Sequence, residues 1–396
     1  MNPSKGLVLV AAALTTTCVP AKELPSPAAR SVSPAGTAQE PPIEGMRPSV
    51  AQGDEPTPVI LVVLDGVRWQ EIFEGVDPAL ARTGSSGRAG AVVDARGLMP
   101  ALYAALDAHG AALGAPGHGS IAASGPNFVS LPGYTEIFGG RPPERCQDNG
   151  CAGASGPTLV DAMRDRASSD SDVAVIASWG PIGRAATRSP AHIVLSAGRE
   201  DRAGTDVLTS DDGMRDVLER GARANPWPGH DTFRPDRYTS ELALRYLEAK
   251  RPAFLFVGLG EPDEYAHAGD YPGYLSALRA ADAFFGGLFA TLDRMGERGR
   301  RSMVLVTADH GRARDYRDHG GGLPESARVW LLAMGGPIHA RGFVQTLTPR
   351  HLADIAPTIR EIVGLPSDDS IRAGMPMIEL LGTPESSATL EADRRE

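Results

Sequence analysis

Residues 302–311 read Ser-Met-Val-Leu-Val-Thr-Ala-Asp-His-Gly, and this stretch decides the fold class. Its apolar run predicts a buried strand, with Asp309 and His310 side by side at the carboxyl end. Residues 58–66, Pro-Val-Ile-Leu-Val-Val-Leu-Asp-Gly, repeat the arrangement and place Asp65 after a second strand. Open α/β sheets carry their active sites at the carboxyl ends of the strands, so we expect a site at this edge of such a sheet.

A third apolar stretch, residues 252–260, adds two more candidate ligands. It is followed at once by Asp263 and His267, and His319 stands nine residues after His310 in a glycine-rich segment. Three Asp and three His residues thus come from three segments of the chain. Carboxylate oxygens combined with neutral imidazoles favour Zn²⁺, with Mn²⁺ or Fe as alternatives. Six such ligands are too many for one tetrahedral ion and suit two divalent metal ions.

Ser130 is the candidate nucleophile of this site. It lies in residues 127–135, Asn-Phe-Val-Ser-Leu-Pro-Gly-Tyr-Thr. A serine hydroxyl that binds a divalent cation can lose its proton near neutral pH, as metal-bound water does. Thr135 is the competing hydroxyl, but its position inside the following helix makes it the weaker candidate. Taken without the other motifs, Ser130 would be interpreted as a helix-capping residue.

The order Asp, Ser-x-Pro-Gly, Asp-x-x-x-His, Asp-His-Gly, His resembles the alkaline phosphatase superfamily over residues 58–382. That superfamily includes phosphatases, nucleotide pyrophosphatase/phosphodiesterases, sulfatases, phosphonate hydrolases and cofactor-independent phosphomutases. The resemblance implies an α/β fold whose mainly parallel central sheet has helices on both faces. It also implies two metal sites, the first formed by Asp65, Ser130, Asp309 and His310 and the second by Asp263, His267 and His319.

The activity implied by the resemblance is hydrolysis of phosphate monoesters through a covalent phosphoserine at Ser130. A phosphodiesterase or nucleotide pyrophosphatase is the alternative. Sulfatases carry Cys/Ser-x-Pro-x-Arg, and Tyr134 stands here in place of the Arg, which disfavours sulfatase activity. Phosphomutases insert a cap domain for which the segment between Ser130 and Asp263 leaves little room. A catalytically inert binding protein is the remaining alternative.

Substrate contacts are assigned to Asn149 and Arg184. Asn149 resembles in position the Asn with which phosphodiesterases and some phosphatases hydrogen-bond a phosphoryl oxygen. Arg184 follows the predicted strand 173–178, where a guanidinium could bind a phosphate monoester through two nitrogens. A turn Asn and a solvated Arg are the plain alternatives, and Trp179 is interpreted as a packing residue.

The first residues of the chain predict export. Of 396 residues, 1–18 resemble a bacterial export signal, with Lys5 ahead of a short apolar stretch. Cys18 is a candidate lipidation site that would attach the protein to a membrane, and simple secretion is the alternative. Residues 19–57 predict a disordered Pro/Ala/Ser-rich linker and 383–396 a polar tail. We therefore expect a periplasmic, outer-membrane-anchored or secreted protein.

Two cysteines bear on the cellular compartment of the protein, and its net charge bears on the class of ligand it binds. Cys146 and Cys151 lie in a turn-rich loop around Asn149 and could form a disulfide in an oxidising compartment, with two unpaired thiols as the alternative. The net charge of −10 disfavours a nucleic-acid polymer as ligand. The expected partner is a small phosphorylated substrate.

Alternating strands and helices predict a mainly parallel sheet. The predicted strands are 58–64, 173–178, 252–258, 302–307 and 328–334. The predicted helices are 98–109, 131–139, 158–167, 237–249, 271–295 and 351–363.

Overall fold

Strands of the central sheet lie where the apolar runs predict them. The computed structural model describes residues 56–83, 92–199, 201–368, 370 and 372–381. The strands of these residues are β1 Val59–Leu64, β2 Gly110–Leu113, β3 Ile121–Ala122, β4 Val173–Ala177, β5 Val194–Ala197, β6 Asp201–Ala203, β7 Phe254–Leu259, β8 Met303–Thr307, β9 Arg328–Val329, β10 Leu331–Gly335, β11 Gly342–Phe343 and β12 Arg350–His351.

The helices alternate with these strands along the chain. They are α1 Trp69–Phe73, α2 Pro78–Thr83, α3 Ala95–Leu98, α4 Pro100–His109, α5 Ser130–Gly139, α6 Leu159–Arg166, α7 Ile182–Ala186, α8 Thr205–Thr209, α9 Asp212–Arg223, α10 Asp236–Lys250, α11 Glu261–His267, α12 Tyr271–Arg294, α13 Glu297–Arg301 and α14 Ile355–Val363. Short 3₁₀ turns occur at Asp170–Asp172, Pro324–Ala327, Leu352–Asp354 and Ile378–Leu380.

Among the described residues, nine strands form the central sheet, in the order β11-β2-β10-β8-β1-β7-β4-β5-β6. The five strands from β8 to β5 are parallel to one another. β10 runs antiparallel to β8 and β2, and β6 antiparallel to β5. The predicted mainly parallel α/β fold is therefore confirmed.

Both faces of the parallel strands are covered, which explains why their sequences are continuous apolar runs. Every residue of β1 and β7 is buried. Helices α4, α9, α10 and α12 pack in one group, and α6, α7 and α14 pack with α5 in another. This grouping gives one helical layer on each face of the sheet.

The predicted strand 328–334 is wrong as a single element. β9 pairs with β3 in a separate three-stranded sheet, whereas β10 belongs to the central sheet. The chain changes sheets at Trp330, whose fully buried indole Nε1 donates to Val67 O at 2.9 Å. A side chain anchored in this way turns the backbone from one sheet to the other. An apolar sequence pattern alone does not predict this turn.

Helix α12 is a core helix of the layer that covers the sheet. Its aromatic residues Tyr274, Phe284 and Phe285 are buried, as the spacing predicts. By length and composition it could also cross a membrane, but about half of its most apolar window (56%) is buried inside the protein. Burial of this kind is expected for the central helix of a folded domain.

All described residues belong to one compact unit, Ser49–Glu396. The predicted export signal 1–18, Cys18, all but the last two residues of the linker and the tail 383–396 lie outside the described residues. Export and lipidation therefore stay predictions.

Candidate active site

Three strand ends bring the predicted ligands to one edge of the sheet. β1 lies between β7 and β8, with Leu64 beside Leu259 and Val63 beside Thr307. Asp65 follows β1 directly, and Asp309 follows β8 after one residue. Helix α11 begins two residues after β7 and carries Asp263 and His267. Parallel register thus places residues far apart in sequence at one carboxyl edge.

The first ligand group consists of Asp65, Asp309 and His310, all buried. His310 Nε2 lies 3.5 Å from Asp65 Oδ1 and 3.5 Å from Asp309 Oδ2. His310 Nδ1 is 2.8 Å from Gly311 O, and a carbonyl oxygen only accepts, so Nδ1 carries the proton. The lone pair of Nε2 consequently faces the two carboxylates, as a metal ligand requires.

Ser130 opens helix α5 inside this first group. Its Oγ donates to Asp65 Oδ1 at 3.3 Å and lies 3.3 Å from His310 Nε2. The helix approaches the end of β8 so closely that a Cβ on Gly133 would lie 2.2 Å from Asp309 O. Thr135 instead directs its hydroxyl toward Cys146 Sγ at 3.6 Å. Of the two candidate hydroxyls, the structure therefore brings Ser130 into the cluster.

The second ligand group joins Asp263 and His267 of α11 to His319. His267 Nε2 lies 3.1 Å from Asp263 Oδ2 and 3.0 Å from His319 Nε2. His319 Nδ1 lies 2.9 Å from Phe128 O, which leaves its Nε2 lone pair directed into the group. The His319 and His310 rings stack with centroids 4.0 Å apart, so the two groups are contiguous.

Two contacts in the site were not foreseen from the sequence. Tyr134, one turn after Ser130, donates from its buried hydroxyl to Asp65 Oδ2 at 3.0 Å. Arg312 is also buried and donates to Asp263 Oδ1. The available signal for Arg312 was a charged residue directly after Asp-His-Gly, where a buried group requires a partner.

Burial shifts the ionisation of the first group. It raises the pKa of Asp65 to about 7, with a further contribution from the charge of Asp263. Burial and the neighbouring Asp65 carboxylate raise the pKa of Asp309 well above its usual range. Burial also lowers the pKa of His310 to about 4, so its imidazole is neutral at neutral pH.

The second group differs because a guanidinium lies beside its carboxylate. Burial by itself raises the pKa of Asp263, but the charge of Arg312 and the hydrogen bond to His267 outweigh it and hold that pKa well below its usual range. The hydrogen bond to Asp263 raises the pKa of His267. Burial and the nearby His310 lower the pKa of His319 to about 3.

The donor set fits bound cations. Asp65, Asp309 and His310 each offer one atom within 4.8 Å of the others, and Asp263, His310 and His319 do the same. Within the described part of the chain, buried Asp309 Oδ2 has no hydrogen-bond donor. A buried carboxylate oxygen without a donor is costly unless a cation neutralises it. These are therefore candidate metal-binding groups.

The predicted substrate contacts lie next to helix α5, which begins at Ser130. Asn149 Oδ1 accepts from Leu131 N at 2.9 Å, one residue from Ser130. Exposed Arg184 donates from Nη2 to Asn149 O at 3.0 Å. The Cys146–Cys151 disulfide is present and closes the loop that carries Asn149. Binding of a phosphoryl group by Asn149 and Arg184 stays a prediction.

Part of the chain matches a known family. Residues 233–367, which include Asp263, Asp309 and His319, match the model of the Metalloenzyme superfamily. The 2,3-bisphosphoglycerate-independent phosphoglycerate mutase of Chloroflexus aggregans is 30% identical over 164 residues, which cover 37% of this chain and 29% of the mutase. The match thus spans less than a third of that relative.

Solved structures match over most of the chain. Alkaline phosphatase PafA superposes with a TM-score of 0.55 at 12% identity, covering 83% of this chain and 99% of that one. The phosphonate monoester hydrolase of Agrobacterium radiobacter has a TM-score of 0.51 at 18% identity, covering 84% and 78%. At these identities the likeness shows the fold, and the resemblance to the alkaline phosphatase superfamily is confirmed at that level.

Proposed function

We propose that this alkaline-phosphatase-like protein, which matches the Metalloenzyme superfamily over residues 233–367, is a hydrolase of phosphate monoesters. The reaction passes through a covalent phosphoserine on Ser130. The observation that carries this function is the position of Ser130 Oγ, 3.3 Å from both Asp65 Oδ1 and His310 Nε2. A hydroxyl held between a carboxylate and a neutral imidazole that are themselves suited to bind metal supports the proposal that Ser130 is the nucleophile.

The residues of the site divide the chemistry among them. Two divalent ions, when bound, would supply Lewis acidity to a phosphoryl oxygen and favour ionisation of the serine hydroxyl. Ser130 Oγ forms a bond to phosphorus as the bond from phosphorus to the leaving oxygen breaks, and water then cleaves the phosphoserine. Tyr134 binds Asp65 Oδ2, which turns Asp65 Oδ1 toward Ser130. The Gly311 carbonyl fixes the tautomer of His310.

The ligands favour Zn²⁺ at both positions, with Mn²⁺ or Fe as alternatives. Asp65, Ser130, Asp309 and His310 would hold one ion, and Asp263, His267 and His319 the other. Mixed oxygen and imidazole nitrogen donors suit these metals better than Mg²⁺ or Ca²⁺, which prefer oxygen alone. Bound cations would also attract a small anionic substrate to a protein whose net charge is −10.

Phosphodiester hydrolysis is the second candidate function. Asn149, held one residue from Ser130 by its bond to Leu131 N, occupies a position that could bind one phosphoryl oxygen of a diester. A phosphomutase has support from the 30% identity to a mutase, but the segment between Ser130 and Asp263 supplies β4 and β5 to the central sheet. Strands β6 and β7 and helices α6 to α10 lie in the same segment, which therefore belongs to the core of the α/β domain.

Export is proposed on the residues at the start of the chain. The disulfide supports it, because disulfides persist in oxidising compartments such as the bacterial periplasm. The protein would then be periplasmic, anchored to the outer membrane through lipidated Cys18, or secreted. Mass spectrometry of the native protein distinguishes these arrangements by a missing leader and an acylated cysteine.

Substrate preference is the direct experiment. The purified full chain, loaded with Zn²⁺, is assayed with p-nitrophenyl phosphate, bis-p-nitrophenyl phosphate and p-nitrophenyl sulfate. The monoester is expected to have the highest kcat/KM. A diester preference would move the protein to the phosphodiesterases, and turnover of none would favour a mutase or a binding protein.

A further inference from the structure

We propose that Arg312 is a positioning residue for the second metal. Its side chain joins the two chain segments that carry Asp263, His267 and His319. This inference rests on the two-metal site of the proposed function and adds a residue that the motifs do not contain. Arg312 directly follows Asp309-His310-Gly311, so it lies where the chain passes from the first ligand group to the second.

Arg312 makes its contacts on both sides of the second group. Its Nη1 donates to Asp263 Oδ1 on helix α11. Its Nη2 donates to Arg317 O at 2.6 Å and lies 3.4 Å from His267 Nδ1. Its Nε donates to Tyr316 O. The guanidinium is therefore bound by protein atoms on every nitrogen, and a role in orienting the ligands fits better than a role as a phosphate clamp.

These contacts close the loop that ends in His319. Ala313 N donates to Asp318 O at 2.8 Å, and Tyr316 N donates to Ala313 O at 2.9 Å. The Tyr316 ring packs against Tyr271 of α12, with centroids 5.1 Å apart. Because Arg312 binds the carbonyls of this loop and the carboxylate of α11 at once, it fixes the position of His319 relative to Asp263.

The backbone after β1 packs directly on this ion pair. A Cβ on Gly66 would lie 2.3 Å from Asp263 Oδ1 and 2.6 Å from Arg312 Nη1, and Gly66 has a φ of +60°. Gly66 N also donates to Asp309 Oδ1 at 3.0 Å. The pair is thus held in place from the first ligand group, and Asp263 keeps its Oδ2 toward His267.

The experiment measures the affinity of each metal position separately. Metal-free full chain is titrated with Zn²⁺ by calorimetry, for wild type, Arg312→Gln, Arg312→Lys and Arg314→Gln. Arg314 is the matched control, because it lies in the same loop with an exposed side chain. Loss of a residue that orients a metal ligand lowers affinity about 10- to 100-fold. We expect that loss at the second position of Arg312→Gln, partial recovery in Arg312→Lys, and wild-type behaviour in Arg314→Gln.

The outcomes separate this inference from the proposed function. Equal weakening of both positions would show a merely structural role, and unchanged or tighter binding at the second position would show that Arg312 does not position it; either result overturns the inference. Should Arg312→Gln fail to fold, Arg312→Lys, which retains the charge, is judged by the same comparison of Zn²⁺ affinity at the second position with that at the first. A wild-type chain that binds fewer than two Zn²⁺ would overturn the proposed two-metal function itself.

Discussion

The two ligand groups of the site are held in different ways. Asp65, Asp309 and His310 stand at the ends of neighbouring strands and are fully enclosed. Asp263 and His267 stand on a seven-residue helix and His319 on a loop, and the His267 side chain is 44% exposed. Sheet register brings the first group together, whereas we propose that the second also needs Arg312 to join its two chain segments.

The groups also differ in charge before any metal binds. Two carboxyl groups with raised pKa values lie in the first, and a carboxylate neutralised by a guanidinium lies in the second. An ion is therefore needed more strongly by the first group, since its buried Asp309 Oδ2 has no hydrogen-bond donor among the described residues. We infer that the first position binds metal more tightly and that the second exchanges more readily.

Replacement of the nucleophile should have the largest effect. Ser130→Ala removes the hydroxyl that lies between Asp65 and His310, and we expect kcat to fall by about 10⁴-fold or more. Metal content should remain, because three stronger ligands are left. Thr135→Ala is the matched control, since its hydroxyl points to Cys146 Sγ, and it should keep activity. Normal turnover by Ser130→Ala would contradict the assignment of Ser130 as the nucleophile.

Removal of one ligand from each group tests the difference in how they are held. Asp309→Ala should abolish binding at the first position, because it deletes an enclosed carboxylate. His267→Ala should weaken the second position less severely, since the His267 side chain is partly exposed. Metal content after dialysis and kcat at saturating Zn²⁺ measure both. A greater loss in His267→Ala would reverse the ranking of the two groups.

Stability of the metal-free protein should depend on pH through the first group. The pKa of Asp65 is raised from 3.8 to about 7, so its contribution to stability is present below 3.8 and is lost as the pH rises through about 7. Added Zn²⁺ should therefore raise the melting temperature more at higher pH. Asp65→Asn should reduce the fall in melting temperature that the metal-free protein shows as the pH rises, by a few degrees over that range.

Asp263 provides the control of opposite sign. Its pKa is lowered, so its contribution is present above 3.8 and is lost only as the pH falls through the folded-state pKa. Asp263→Asn should lower the melting temperature near neutral pH without flattening the decline between 3.8 and about 7. A melting temperature of the metal-free wild type that does not change with pH over this range would contradict the assignment of a protonated carboxyl group to the first ligand group.

The smallest effect is expected from Tyr134→Phe. The change removes one hydrogen bond to Asp65 and leaves the ring against Phe256 in place. A hydrogen bond of this kind contributes about 1 kcal/mol, so metal affinity at the first position should fall about fivefold. Affinity at the second position should not change, and an equal change at both would indicate loss of packing instead.

The strand ends could be predicted from sequence because an apolar run followed by Asp is a local pattern. Parallel register then brought Asp65, Asp263 and Asp309 together without further information. The same reasoning missed β2 and β5, which are only four residues long and have little periodicity. It also could not find the change of sheets at Trp330, which depends on a contact with Val67.

The supporting residues could not be predicted for a related reason. Tyr134 and Arg312 act through Asp65 and Asp263, which lie 69 and 49 residues away in the chain. No spacing rule connects such pairs, because the fold alone brings them together. The ligand residues of both groups were thus predicted from sequence, and the residues that orient them required the structure.

Covalent phosphorylation of Ser130 is the most direct test of the central claim. The Zn²⁺-loaded full chain is mixed with p-nitrophenyl phosphate, quenched in acid within a turnover, digested and measured by mass spectrometry, with Ser130→Ala alongside. We expect one phosphoryl group on the wild-type peptide that contains Ser130 and none on the variant. Hydrolysis of the ester with no phosphoserine at Ser130 at any quench time, or a phosphoryl group on another residue, would contradict the account.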